Sequence, residues 1–254
     1  MKTVNVEYRD NIAVIELDRP KAHALNRALV TDLQQTIVEL GEAPHVEGAI
    51  LTATGTIFCA GLDLIELYGY DEEGVADFWE QFGRMVRDLI RFPKPLIGAI
   101  NGHAPAGGCV LAMCCDYRFM AGGQGRIGLN EVAVGVVFPK PVIELARHVM
   151  GDTRAADMIF HGAVLFPEQA GAFGIVHATV PGEQLMETAE QKLHSWLALP
   201  QVPWREAKSV LRAPLLKAMD VEFSDAYGET IRHWWTTESR GTVAKMIERL
   251  KSKT

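Results

Sequence analysis

Apolar residues along this chain follow two periods, and their order predicts the architecture. Residues 4–8 and Ile12–Leu17 alternate or run apolar on either side of Asp10-Asn11, the pattern of two strands joined by a tight turn. Arg19-Pro20 ends the second of them, since proline cannot donate to a strand ladder. Asn26 then stands where a cap belongs, ahead of Leu29, Leu33, Ile37 and Leu40 at helical spacing. Gly48–Ala53, Leu96–Ile100 and Tyr117–Ala121 are short apolar runs bounded by glycine or proline, and a helix at about 108–115 separates the last two. Amphipathic helices are predicted at 142–150 and 154–160, and a further strand at 174–180. Strands alternating with helices predict an α/β fold built on parallel strands.

After about Leu197 the pattern is helical throughout, over 204–216, 223–235 and 242–251. No low-complexity linker interrupts the chain. The expected organisation is a core near 1–196 and a helical C-terminal region, 197–254, packed on it or on a neighbour.

Composition narrows the partners. The 254 residues are 48% hydrophobic and 22% charged, ordinary for a globular chain, and long enough to bury a substantial core. A formal charge of −7 argues against a nucleic-acid groove or an anionic membrane as the main partner. The first ten residues lack the character of a leader, and no apolar run is long enough to span a membrane, so a cytoplasmic protein is expected. Cys59, Cys109, Cys114 and Cys115 sit among apolar or small residues without zinc-type spacing. They read as buried thiols in a reducing compartment, with no metal site.

Two segments carry candidate chemistry. In the run 126–135, Asn130 and Glu131 stand among apolar residues, where desolvation raises a carboxyl pKa and makes a usable base. Residues 104–112 form a small-residue turn opening a helix, whose first N–H groups suit a developing negative charge. A second glycine-bearing turn, 55–64, also follows a predicted strand, so N–H groups from both turns can converge on one carbonyl oxygen. Each feature has a plainer reading. Glycines serve tight turns and close helix packing, Glu131 can cap a helix or pair structurally, and His23 and His103 can be incidental loop residues. Neither a phosphate loop nor a dinucleotide fingerprint is present, nor any nucleophile or metal motif.

Taken in order, Arg19-Pro20…Ala24-Leu25-Asn26, 58–64, Ile100-Asn101-Gly102…Ala106-Gly107-Gly108-Cys109…Cys115-Asp116 and Gly128-Leu129-Asn130-Glu131…Gly135 resemble the crotonase (enoyl-CoA hydratase/isomerase) superfamily. Within it the segments 105–109, 115–118 and 129–131 are most similar to the Δ3,Δ2-enoyl-CoA isomerases. The resemblance implies a spiral of ββα units, a C-terminal helical region used in trimerisation, and an acyl-CoA substrate with no separate cofactor. A homotrimer or dimer of trimers is then expected. By position, the oxyanion-hole amides are those of Leu62 and Gly107, and Glu131 is the retained catalytic acid. Ala22, Ala24, Ala60, Gly61, Asp63, Leu64 and Asn130 fall at substrate-binding positions, with Arg19 and Lys21 as candidate cations for the CoA phosphates.

The first carboxylate of the family's hydratases falls at Val110, which implies double-bond isomerisation rather than hydration. Three alternatives stand beside this reading. One is a hydratase using Asp63 or Glu66 as its second acid. The others are another thioester reaction through the same enolate, and a non-catalytic acyl-CoA binder. Phe78, Trp79 and Phe82 are read either as acyl-pocket walls or as core.

Overall fold

The computed structural model describes residues 2–20 and 22–252. Strands β1 (Val4–Arg9) and β2 (Ile12–Leu17) form the expected antiparallel hairpin, with Asp10 at a positive φ of 54° in the turn. Asn26 caps α1 (Arg27–Glu42), its side chain accepting from the Leu29 N–H. β3 (Gly48–Ala53) follows, then α2 (Leu64–Tyr68) and the 20-residue α3 (Glu72–Arg91). β4 (Leu96–Ile100), β5 (Ala104–Pro105), α4 (Gly107–Cys114), β6 (Tyr117–Ala121) and β7 (Ile127–Gly128) complete the middle of the chain. Beyond a 3-10 turn at Val132–Val134 come α5 (Lys140–Met150), α6 (Asp152–His161), β8 (Val164–Leu165), α7 (Pro167–Phe173) and β9 (Ala178–Val180). Helices α8 (Leu185–Leu197), α9 (Gln201–Met219), α10 (Phe223–Trp234) and α11 (Thr237–Lys251) end it.

Six strands form one sheet in the order β1-β2-β3-β4-β6-β9, all parallel after the first pair. β5, β7 and β8 form a second, small sheet. The large sheet is covered on both faces, as a parallel sheet requires. Alternate residues divide between the faces. Ala13, Ile15, Leu17, Leu51 and Ile100 join the main core, whereas Ile12, Ile50, Ile97 and Phe119 meet Leu185 and Leu193 of α8 on the other side. The main core continues without a break into the C-terminal helices, through Leu215, Tyr227, Trp234, Val243 and Ile247.

One expectation changes, and one open alternative is decided. The strand predicted over 174–180 is confined to Ala178–Val180, because Gly174 takes φ 81° and ends α7, its N–H bonding back to Ala170 and Gly171. Phe78, Trp79 and Phe82 lie on the buried face of α3 and pack on one another as core. Their neighbours Val75, Val86 and Leu89 complete a helical stripe that the sequence carries plainly but that the reading above leaves unassigned.

Candidate active site

Three loops meet at the carboxyl ends of β3, β4 and β7. Asn101 ties the first two together, its Nδ2 donating to Ala53 O at 2.9 Å and Gly55 O at 2.8 Å. The loop after β3 is clamped on both sides. Phe58 and Cys59 donate to His103 O, Ala60 donates to Ala22 O, and Leu25 bridges residues 61 and 63 in parallel fashion. That bridge uses the N–H groups of Leu25 and Asp63, leaving the Leu62 N–H turned to the opposite side.

Gly107, as the first residue of α4, has an N–H without an intrahelical acceptor. The preceding Ala106 holds a strained φ of 49°, with its N–H anchored to Gly128 O on β7. The two glycine turns touch. A Cβ on Gly61 would lie 3.3 Å from Gly107 N, and one on Gly108 only 2.2 Å from Cys59 O.

In front of these turns is a cavity of about 540 Å³. Ala22, Ala24, Ala60, Leu62, Asp63, Leu64, Asn130 and Glu131, eight of the sequence-derived site residues, line it. Gly61 and Gly107 are not among the lining residues but lie against each other, next in sequence to the lining Ala60, Leu62 and Ala106. The far wall comes from Val134, Val136 and, on α11, Met246, Leu250 and Lys251, which the sequence reading did not assign to the site. The signal was present, since Met246 and Leu250 flank the core positions Val243 and Ile247 at helical spacing. Arg240 seats α11 on α2, its Nη2 donating to Tyr68 O at 3.0 Å and its guanidinium lying 3.5 Å from the Tyr68 ring centre.

Glu131 is buried, and its Oε2 has no protein partner among the described residues. Burial pushes its pKa up to about 8 from an ordinary 4.5, a shift opposed in part by its own backbone N–H. The Asn130 Oδ1 beside it is likewise unpartnered. The other lining carboxylate is committed elsewhere. Asp63 pairs with Arg19 at 2.6 Å and caps α2 by accepting from the Glu66 N–H at 3.1 Å. Glu66, the second rival acid, accepts from Asn26 Nδ2 at 2.7 Å and from the Tyr70 hydroxyl. Val110 is buried one turn into α4 and does not line the cavity.

The remaining candidates resolve as scaffold. His23 Nδ1 accepts from the Arg19 N–H at 3.0 Å, which leaves its Nε2 to donate to Thr54 O at 3.0 Å. This pins a loop in which Ala22 and His23 hold φ of 68° and 52°. His103 is exposed and outside the cavity. Arg19 lines the cavity while paired to Asp63, and Lys21 lies outside the described residues. The four cysteines are free and buried. Among the described residues no group of three or more His, Cys, Asp or Glu is placed to hold a metal. No helix among them is long and apolar enough to cross a membrane.

Comparison with known proteins finds relatives over nearly the whole chain. The family described as enoyl-CoA hydratase/isomerase matches residues 7–252. Mitochondrial enoyl-CoA delta isomerase 1 of Mus musculus is 33% identical over 211 residues, covering 82% of this chain and 73% of its own. The crystal structure of human mitochondrial delta3-delta2-enoyl-CoA isomerase superposes with a TM-score of 0.95 at 28% identity, covering 99% of both chains. A crotonyl-CoA hydratase of Syntrophomonas wolfei is also similar, at 27% identity over 89% of each.

Proposed function

The chain belongs to the enoyl-CoA hydratase/isomerase family, and on that premise we propose that it is a Δ3,Δ2-enoyl-CoA isomerase. The observation that carries the proposal is a single unpaired, buried carboxylate, Glu131, facing two converging turns with free amides. The thioester oxygen is held by the N–H groups of Leu62 and Gly107. Glu131 removes a proton from C2, and the C–H electron pair moves onto the thioester oxygen as a dienolate. The same carboxyl returns the proton at C4, leaving the double bond between C2 and C3. One acid suffices because C2 and C4 are separated by one atom. Hydration needs a water held and deprotonated near C3, and with Asp63 and Glu66 engaged no second acid lining the cavity is free to hold it among the described residues.

Ala22, Ala24, Ala60, Gly61, Asp63, Leu64 and Asn130 are assigned to substrate contact, and no cofactor beyond the CoA of the substrate is invoked. Residues 197–254 serve as pocket cover and trimer contact in this proposal. Exposed Val202 and Val210 on α9 support the second role, since apolar side chains of this size gain by burial against another copy. Buried free thiols suit the cytoplasmic placement.

Product analysis with 3-hexenoyl-CoA and crotonyl-CoA, offered separately, tests the activity. A 2-enoyl product from the first, with no hydroxyacyl product from the second, is expected. Hydroxyacyl-CoA from crotonyl-CoA at a comparable rate would replace isomerase by hydratase. Tight acyl-CoA binding without C2 proton exchange in deuterated water would leave a binding protein.

The acid also fixes a pH dependence. A base must start deprotonated, and Glu131 ionises only near pH 8 in the free protein. kcat/KM is therefore expected to rise tenfold per pH unit below about 8 and to level off above it. A profile already flat at pH 6 would show that the base ionises well below 8, and Glu131→Gln would then decide whether it is Glu131.

A further inference from the structure

A second cavity, of about 400 Å³, lies at the opposite end of α4, and its charges do not balance. It is bounded by the start of β6 and by α5, α8 and α9, and shares no lining residue with the catalytic cavity. The eight residues of α4 put roughly 12 Å between its two ends. Three lining side chains are cationic, Arg118, Lys208 and Arg212, with His148 beside them, and Asp116 is the one lining acid.

Asp116 is fully used. One oxygen meets Lys208 Nζ at 2.6 Å and the Leu96 N–H at 2.9 Å, and the other meets Arg212 Nη2 at 3.3 Å. Arg118, only 5% exposed, reaches main-chain carbonyls alone: Nη1 donates to Cys115 O at 2.7 Å and Nε to Ile175 O. No carboxylate is within ion-pair distance of it among the described residues.

A guanidinium withdrawn from water is costly unless a counter-charge accompanies it. The surplus is felt locally. Burial lowers the His148 pKa, and Arg212 and Arg118 add to that effect. Burial also lowers Arg118 to about 10, with Arg212 acting in the same direction and Cys115, Cys109 and Asp116 against it. Trp196 and Trp204, 5.4 Å apart, supply an apolar side of the cavity.

The geometry points to an oxyanion site: a phosphate or carboxylate group of a free small molecule, held by Arg118 and Arg212 with His148 at its side. Guanidinium groups suit this role because their N–H forks match two oxygens of one anion. The inference is independent of the isomerase reading.

Inorganic phosphate is the probe. Thermal unfolding of the intact protein is followed against phosphate, with chloride at matched ionic strength as reference, for wild type, His148→Glu and His148→Gln. A saturable rise of roughly 2–4 °C at about five times Kd is expected in wild type. His148→Glu supplies the missing charge from within. It should unfold at a higher temperature than wild type without phosphate and lose the saturable response, whereas His148→Gln keeps that response. Any phosphate effect at the catalytic cavity is common to all three proteins and cancels in the comparison. Isomerase turnover should be unchanged in both variants.

Equal responses in wild type and His148→Glu, or none in either, would overturn the site.

Discussion

Replacing Glu131 by glutamine is expected to cut isomerase turnover by roughly 100- to 10,000-fold, the usual contribution of a placed general base. The amide keeps the shape of the side chain but accepts no proton at C2. Stability should move the other way. The folded-state pKa of about 8 lies above the ordinary 4.5, so between those values the folded protein binds a proton that the unfolded chain has released. The Glu131 contribution to wild-type stability is therefore fully present below pH 4.5 and is lost as pH rises to about 8. Glutamine has no such slope. At pH 7 the variant should gain roughly 3 kcal/mol over wild type, and the gain should vanish below pH 4.5. A less active but more stable variant is a combination that a merely structural acid does not give. Near wild-type turnover would remove Glu131 from the mechanism. Denaturant melts at pH 4, 6 and 8, beside turnover with 3-hexenoyl-CoA, read both halves.

Gly108→Ala should have the next largest effect, again against the trend for its setting. Alanine ordinarily favours a helix over glycine by roughly 0.5–1 kcal/mol. At 108, however, the added carbon would sit 2.2 Å from Cys59 O, a main-chain atom of the loop that carries Leu62. Loop and helix must separate, and the two amides no longer point at one oxygen. Loss of one oxyanion donor costs roughly 100- to 1,000-fold in kcat, and a loss of that order is expected here. Gly171→Ala is the control, since it is helical on α7 with nothing within 4 Å of the added carbon. It should leave kcat unchanged and stability equal or slightly higher. Wild-type kcat in Gly108→Ala would mean that the amide of Leu62 is not needed.

These positions show how far the amino-acid order carries the interpretation. The strands were legible because their apolar runs end at glycine or proline, and the first helix because Asn26 precedes a regular stripe. Glu131 was legible as an acid among apolar neighbours, but whether it was paired was not. That depended on what folds over it, and the structure leaves its Oε2 without a protein partner. Asp63 shows the converse. In sequence it was the second acid of a rival hydratase reading, and the approach of Arg19, 44 positions earlier, engages its carboxylate. The three strands β5, β7 and β8, two residues each, are too short for any period to register. The wall formed by α11 was hidden for a different reason. Helical spacing shows that a face is apolar without showing which face looks into a cavity.

Arg19, Pro20, Ala22 and Ala24 border the same space as Met246, Leu250 and Lys251, although nearly the entire chain lies between them. During synthesis the two turns and Glu131 therefore leave the ribosome long before the final helix can shut over them. Until α11 docks through Arg240, an apolar basin stands open to other nascent chains and to chaperones. Ribosome stalling upstream of codon 237 should consequently yield a folded-looking but sticky and inert product, whose hazard lies in what it captures rather than in what it fails to catalyse.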